Sequence, residues 1–278
     1  MNNQIKEPDP NQEKKSVHDF WDEASCGESI YLPQNDLAGY IAHSKARYDL
    51  EGDFIFDLAK FSSAKGKKVL EIGVGLGADH QNFAEAGANL FGIDLTQRAI
   101  DHTKKRMQVS GLESNLGTGD AEDLDFPDEY FDIVYSWGVI HHSPNTQKAV
   151  SEILRVLKKG GTARIMIYNK WSIVGFMLWL RYALLSLRPW RSLKSIYSEH
   201  LESSGTKAYS VSEAKKLFSS FNDVKIKTVL THGDLLTSPA GQRHRGFLLN
   251  IARKIWPRWF FKKFMSKNGL FMLIEVGK

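Results

Sequence analysis

The sequence predicts an α/β fold in which a doubly wound parallel sheet is covered by helices on both faces. Three observations predict it. From Lys68 to Tyr168, short β-branched runs alternate with helical segments, the pattern of crossover units. The first strand enters a helix through a glycine-punctuated turn, Val69 to Gly77 (VLEIGVGLG). A chain of 278 residues that is 42% hydrophobic and 25% charged can bury a large core, which argues against wholesale disorder, collagen-like repeats and a multi-span membrane protein.

Residues 1–16 are polar and charged with no apolar run behind them, so they read as a disordered tail lacking a secretory signal or transit peptide. Residues 17–66 form a helical cap: Asp36 to Phe61 carries apolar residues at helical spacing without proline, with a break expected near Gly52. The core occupies 67–170, with strands Lys68–Ile72, Asn89–Ile93, Phe131–Ser136 and Thr162–Tyr168. Between them run helices Ala78–Ala86, Gln97–Ser110 and Thr146–Leu157, the last stopped by Gly160 and Gly161. Residues 171–210 open with a strongly apolar run, Trp171–Leu187, which reads as a lid or interfacial helix because Arg181 sits near its middle. Residues 211–278 complete the core with helix Ser212–Phe221 and strands Asp223–Leu230 and Gly269–Val276, interrupted by a basic aromatic insertion.

A net charge of +5 mildly favours anionic partners without requiring nucleic acid or membrane. The single cysteine, Cys26, excludes an intramolecular disulfide and any cysteine cluster, which fits a cytoplasmic location.

Glycines 73, 75 and 77 allow a tight strand-to-helix turn whose N–H groups can meet a ligand with no Cβ in the way. Asp94 ends the next strand, where a carboxylate can accept hydrogen bonds from both hydroxyls of a ribose held over that turn. Together they point to a ribose-bearing cofactor. Gly73, Gly75 and Ala78 also satisfy the G-x-G-x-x-G/A spacing of dinucleotide binders, so the turn alone leaves a nicotinamide open.

Beyond the turn, the chain resembles the class I S-adenosylmethionine-dependent methyltransferases, in particular the small-molecule branch of the ubiquinone and menaquinone methyltransferases. The resemblance covers roughly 67–168. It rests on Glu71–Gly77, Asp94, Gly119–Glu122 with Phe126-Pro127, Phe131–His142 (FDIVYSWGVIHH) and Leu154–Gly161 (LRVLKKGG). It implies a Rossmann-like sheet, mostly parallel with an antiparallel C-terminal strand, an N-terminal helical cap, an inserted helical lid, and S-adenosyl-L-methionine as cofactor. It further implies that Glu71 and Gly73 hold the amino-acid end, with Gly75 and Gly77 completing the cradle. Asp94 would take the ribose and Leu95 the adenine face, Asp120 and Ala121 would bracket the adenine, and Trp137 and Gly138 would line the sulfonium region.

The resulting expectation is methyl transfer to an oxygen, carbon or sulfur atom of a small, apolar or amphiphilic organic acceptor. The Asn/Asp-Pro-Pro-aromatic turn that grips planar amines is absent, since Ser136-Trp137-Gly138-Val139 stands there. Cytosine methylation lacks its thiolate, and arsenite methylation lacks its several thiols. A nicotinamide oxidoreductase is disfavoured by the missing Tyr-x-x-x-Lys pair; a binding module without turnover is the other alternative.

The candidate bases are His43, which shares a helix face with Tyr40 and Arg47, His142, which with His141 follows the strand Phe131–Ser136, and His232 in a glycine-bearing loop. A second loop, with Arg243, His244 and Arg245, is a weaker anion-site candidate. No metal constellation is expected, because adjacent His141 and His142 should point apart. The expected partner is a small-molecule acceptor, with no nucleic acid. Peripheral membrane contact through 171–187 and 253–264 is the second reading of those segments, where cations interleave with Trp and Phe. Oligomeric state is left open.

Overall fold

A computed structural model describes residues 9–237, 250 and 253–278. The expected strands form, as β1 (Lys68–Ile72), β2 (Asn89–Asp94), β4 (Phe131–Trp137), β5 (Leu157–Tyr168), β6 (Asn222–Val229) and β7 (Phe271–Gly277). A further strand, β3 (Asn115–Thr118), was not expected. They make one seven-stranded sheet in the order β3-β2-β1-β4-β5-β7-β6, parallel from β3 through β5, with β7 antiparallel to both β5 and β6. This is the Rossmann-like, mostly parallel sheet with an antiparallel C-terminal hairpin.

The central strands are buried on both faces, as crossover topology requires. Neighbouring residues supply opposite cores. Leu70 and Val134 join Val150, Ile153 and Phe218 on one face. Val69 and Ile133 join Ile55, Ala59 and Phe83 on the other. The first face is covered by α6 (Thr146–Val156) and α9 (Val211–Leu217), the second by α3 (Leu37–Ala59) and α4 (Ala78–Glu85). Helix starts follow their side-chain caps: Asp36 accepts from the Gly39 N–H, Thr96 from Ala99 at the head of α5 (Gln97–Val109), and Asn145 from Lys148.

Several expectations change. The tail expected over 1–16 is helical from Pro10, in α1 (Pro10–Glu23), where Asp9 caps the first turn and Val17 is buried. Lys14 anchors it by pairing with Asp120 and Glu122. Helix α3 runs unbroken through Gly52, held by burial of Ile55, Leu58 and Ala59. After α6 the strand begins at once, and β5 passes through Gly160 and Gly161 because Gly160 donates its N–H to the Lys278 carbonyl. A short helix, α2 (Glu28–Tyr31), precedes α3.

The lid segment divides into α7 (Ile173–Trp179), a π turn (Leu180–Leu184) and α8 (Leu193–His200), packed through Leu178, Ala183 and Ile196. No helix among the described residues is long and apolar enough to cross a membrane. The basic aromatic insertion carries α10 (Arg258–Phe264). Arg243, His244 and Arg245 lie outside the described residues.

Candidate active site

The carboxyl ends of β1, β2 and β4, the cap and the end of the lid enclose a cavity of about 290 Å³. Its floor is the glycine turn. Gly73 has φ +83°, and a Cβ there would stand 2.1 Å from Cγ2 of Val139, so packing alone demands glycine. Gly75, at φ +51°, differs: a Cβ would meet nothing within 4 Å, so the space beside its Cα is open. The Gly75 N–H donates to Oδ2 of Asp94 at 3.1 Å, while Oδ1 accepts from the backbone and hydroxyl of Thr96, each at 3.0 Å. Burial pushes the Asp94 carboxyl up, opposed by these N–H donors.

Below the turn, Glu71 is buried with Oε2 2.9 Å from Nδ1 of His80, and Nε2 of His80 lies 2.6 Å from Oγ of Ser114. Ser114 gives its one hydroxyl proton to the Leu90 carbonyl, so His80 donates through Nε2 and accepts at Nδ1 from a protonated Glu71. Burial and the nearby Asp79 hold the Glu71 carboxyl well above its ordinary value, and burial lowers His80 to about 3.

Helix α3 closes one wall. Arg47 pairs with Asp79 at 2.6 Å, and Tyr48 and Tyr135 each donate to the same carboxylate at 2.9 Å. One turn earlier, the Nδ1 of His43 lies 2.9 Å from Nη2 of Arg106, whose guanidinium is fully buried and also bonded to Ser44, Gln81 and the Tyr40 carbonyl. A guanidinium only donates, so His43 accepts at Nδ1 and carries its proton on Nε2.

Residues 70–165 match the methyltransferase domain family. The core of this chain is similar to a class I methyltransferase domain. It is 36% identical over 106 residues to the phosphatidylethanolamine N-methyltransferase of Cereibacter sphaeroides, covering 37% of this chain and 52% of that protein. It is 40% identical over 98 residues to the phthiotriol/phenolphthiotriol dimycocerosates methyltransferase of Mycobacterium tuberculosis, covering 34% and 36%. The matches thus span about half of one relative and about a third of the other. In fold, it is similar to the Haemonchus contortus phospholethanolamine N-methyltransferase 2, solved with phosphomonomethylethanolamine and S-adenosylhomocysteine: TM-score 0.58, 18% identity, 94% of this chain and 60% of that one.

All ten residues named for the cofactor line the cavity: Glu71, Gly73, Gly75, Gly77, Asp94, Leu95, Asp120, Ala121, Trp137 and Gly138. Asp120 is already engaged, its Oδ2 2.5 Å from Nζ of Lys14 on α1 and its Oδ1 accepting the Glu122 N–H. Trp137 is both cavity wall and core edge, with its ring edge-on to Phe271 at 5.6 Å.

The three candidate bases separate. His142 lines the cavity, with Nδ1 2.8 Å from Ser203 Oγ and Nε2 3.3 Å from Glu202. His43 also lines it, but its tautomer presents a donor; burial and Arg106 lower it to about 3, so it stays neutral. His232 is outside the cavity lining, its Nδ1 2.8 Å from Thr237 Oγ1. Contrary to expectation, His141 and His142 do not point apart: their rings stand 4.3 Å apart at 38°, packed on Tyr168. With Glu202 they bring ligating atoms within 4.8 Å of one another, although Glu202 accepts from the Tyr168 hydroxyl and His142 is bonded to Ser203.

Sequence reasoning missed Trp21, Tyr31, Glu51, Tyr168 and Glu202, all of which line the cavity. Glu51 was legible: it continues the His43 and Arg47 stripe by one more turn. Glu202 follows α8 and meets His142 only through the tertiary fold, so no local pattern marks it.

Proposed function

We propose that this protein is an S-adenosyl-L-methionine-dependent methyltransferase acting on a small, apolar or amphiphilic organic acceptor. The observation that carries the reading is the Gly75–Asp94 junction, a glycine with open space at its Cα beside a carboxylate on the floor of the cavity. The names of the relatives, which specify lipid acceptors, support the acceptor class. The residues present fit the cofactor: Asp94 for the ribose hydroxyls, Glu71 and the loop backbone for the amino-acid end, Ala121 and Leu95 for the adenine. Bound there, the cofactor supplies a methyl group on a sulfonium, whose in-line displacement needs orientation and dryness rather than a covalent intermediate.

The chain's own residues supply that setting. Trp137 and Met166 shield the reacting end from water, and His43 offers an Nε2–H donor to the cavity. His142 is the one candidate base left beside the cavity whose geometry does not fix it as a donor. The exposed aromatic residues of the lid and α10, interleaved with Arg181, Arg188, Lys262 and Lys263, support peripheral contact with an anionic lipid surface. Replacing Asp94 tests the site. Asp94→Ala is expected to weaken S-adenosylhomocysteine binding by about ten- to a hundredfold, the worth of a charge-assisted hydrogen bond or two, with an unchanged circular dichroism spectrum. Unchanged affinity in a titration would contradict the ribose contact.

A further inference from the structure

Two carboxylates, Glu51 from α3 and Glu202 beyond α8, also line the cavity. Among the described residues, neither has a lysine or arginine nitrogen within hydrogen-bond distance. The nearest guanidinium nitrogen to Glu51 is Nη1 of Arg47 at 3.8 Å, and Arg47 is committed to Asp79 at 2.6 Å. Glu202 accepts from the Tyr168 hydroxyl at 2.8 Å and lies 3.3 Å from Nε2 of His142; among the described residues, no lysine or arginine pairs with it. The surrounding wall is aromatic, formed by Trp21, Tyr31, Trp137 and Tyr168.

The electrostatic character of this wall is negative. Burial lifts the Tyr168 phenol, with the charges of Glu202 and Glu51 adding to the shift. Two acidic groups that line one cavity repel, and the arrangement is relieved by a cation placed between them. Aromatic faces add their own attraction for such a charge.

Resting on the methyltransferase reading above, we propose that Glu51 and Glu202, within this aromatic wall, form a subsite for the amine group of an amphiphilic acceptor, so that the methyl group passes to an aliphatic nitrogen. This departs from the oxygen, carbon or sulfur acceptor expected from the sequence. It agrees with the missing planar-amine turn, since an aliphatic amine is not planar. The amine enters as an ammonium and gives one proton to the Glu202–His142 pair. Its freed lone pair then forms the N–C bond as the C–S bond breaks, with that bond's electrons remaining on sulfur. The positive charge moves from sulfur to nitrogen, where the same carboxylates meet it.

The test uses the full-length protein saturated with S-adenosylhomocysteine, titrated with octylamine and octan-1-ol below their aggregation concentrations. Octylamine is expected to bind at least about tenfold more tightly, as expected for a charged group meeting a half-buried counter-charge. Glu51→Gln and Glu202→Gln should each reduce that preference at least severalfold while S-adenosylhomocysteine affinity holds. Glu202→Asp, which keeps the charge, should retain most of it and serves if Glu202→Gln does not fold. Equal binding of amine and alcohol would overturn the proposal. So would loss of S-adenosylmethionine affinity, relative to its demethylated product, with amine preference intact in the glutamine variants, because the carboxylates would then serve the donor's sulfonium. Failure of S-adenosylhomocysteine to bind the wild-type protein would overturn the underlying reading instead.

Discussion

His141 is fully buried, and both of its ring nitrogens lack a hydrogen-bond partner. Burial, with His142 and Lys207 nearby, holds it well below its ordinary value of 6.5, and burial lowers His43 and His80 to about 3. In the unfolded chain these rings bind protons near their ordinary value, whereas in the folded protein they stay neutral. The unfolded state therefore binds more protons below about pH 6.5, and stability falls as the pH drops through that window. Each such histidine contributes a loss of about 2 kcal/mol at pH 5. His141→Phe should leave the protein as stable at pH 7.5, or more so by about 1 kcal/mol, because two buried orphan atoms disappear. Its melting temperature should also drop less than that of the wild type between pH 7.5 and pH 5. An identical pH response would contradict this account of His141. The cofactor-side residues were legible because their chemistry is local: three glycines and an acid at a strand end. The buried guanidinium of Arg106, which fixes the tautomer of His43, was not, since its partners lie 25 to 66 positions away.

Among the elements, those with strong periodicity or glycine punctuation were legible, and those defined by long-range pairing were not. β1, β2 and β4 read directly from their apolar runs. β3 did not: it is a four-residue edge strand, Asn115–Thr118, partly exposed and polar, and exists through its pairing with β2. α1 was hidden for the opposite reason, since a highly charged helix looks like a tail until Lys14 meets Asp120 and Val17 finds the core. The lid and the segment before α10 share one anchor, the buried Asp234. Its Oδ1 accepts from Val174 on α7, and its carbonyl accepts the indole N–H of Trp256. Their outward residues include Leu187 at 83% exposure and Trp190 at 77%, with Trp259 at 67% on α10, too much apolar surface to leave without a partner. We expect the protein to sediment with vesicles of phosphatidylcholine containing phosphatidylglycerol, and much less with phosphatidylcholine alone. Trp190→Ala with Trp259→Ala should reduce that binding severalfold. Equal recovery of this double variant would rule the surface out as the contact.

For the molecule as a whole, the sheet brings together segments far apart in sequence so that one cavity has two chemically different walls. The wall at the glycine turn offers the Asp94 carboxylate; the other offers aromatic rings and two acids, Glu51 and Glu202. The cap and the lid matter because they close this cavity, and Glu51 and Glu202 arrive only with them. The account stands on what the glycine-turn wall holds. Calorimetric titration of the purified protein with S-adenosylhomocysteine and, separately, with NAD measures this directly. The account predicts saturable binding of one S-adenosylhomocysteine per chain and no measurable heat from NAD. Tighter binding of NAD, or no binding of S-adenosylhomocysteine, would contradict it.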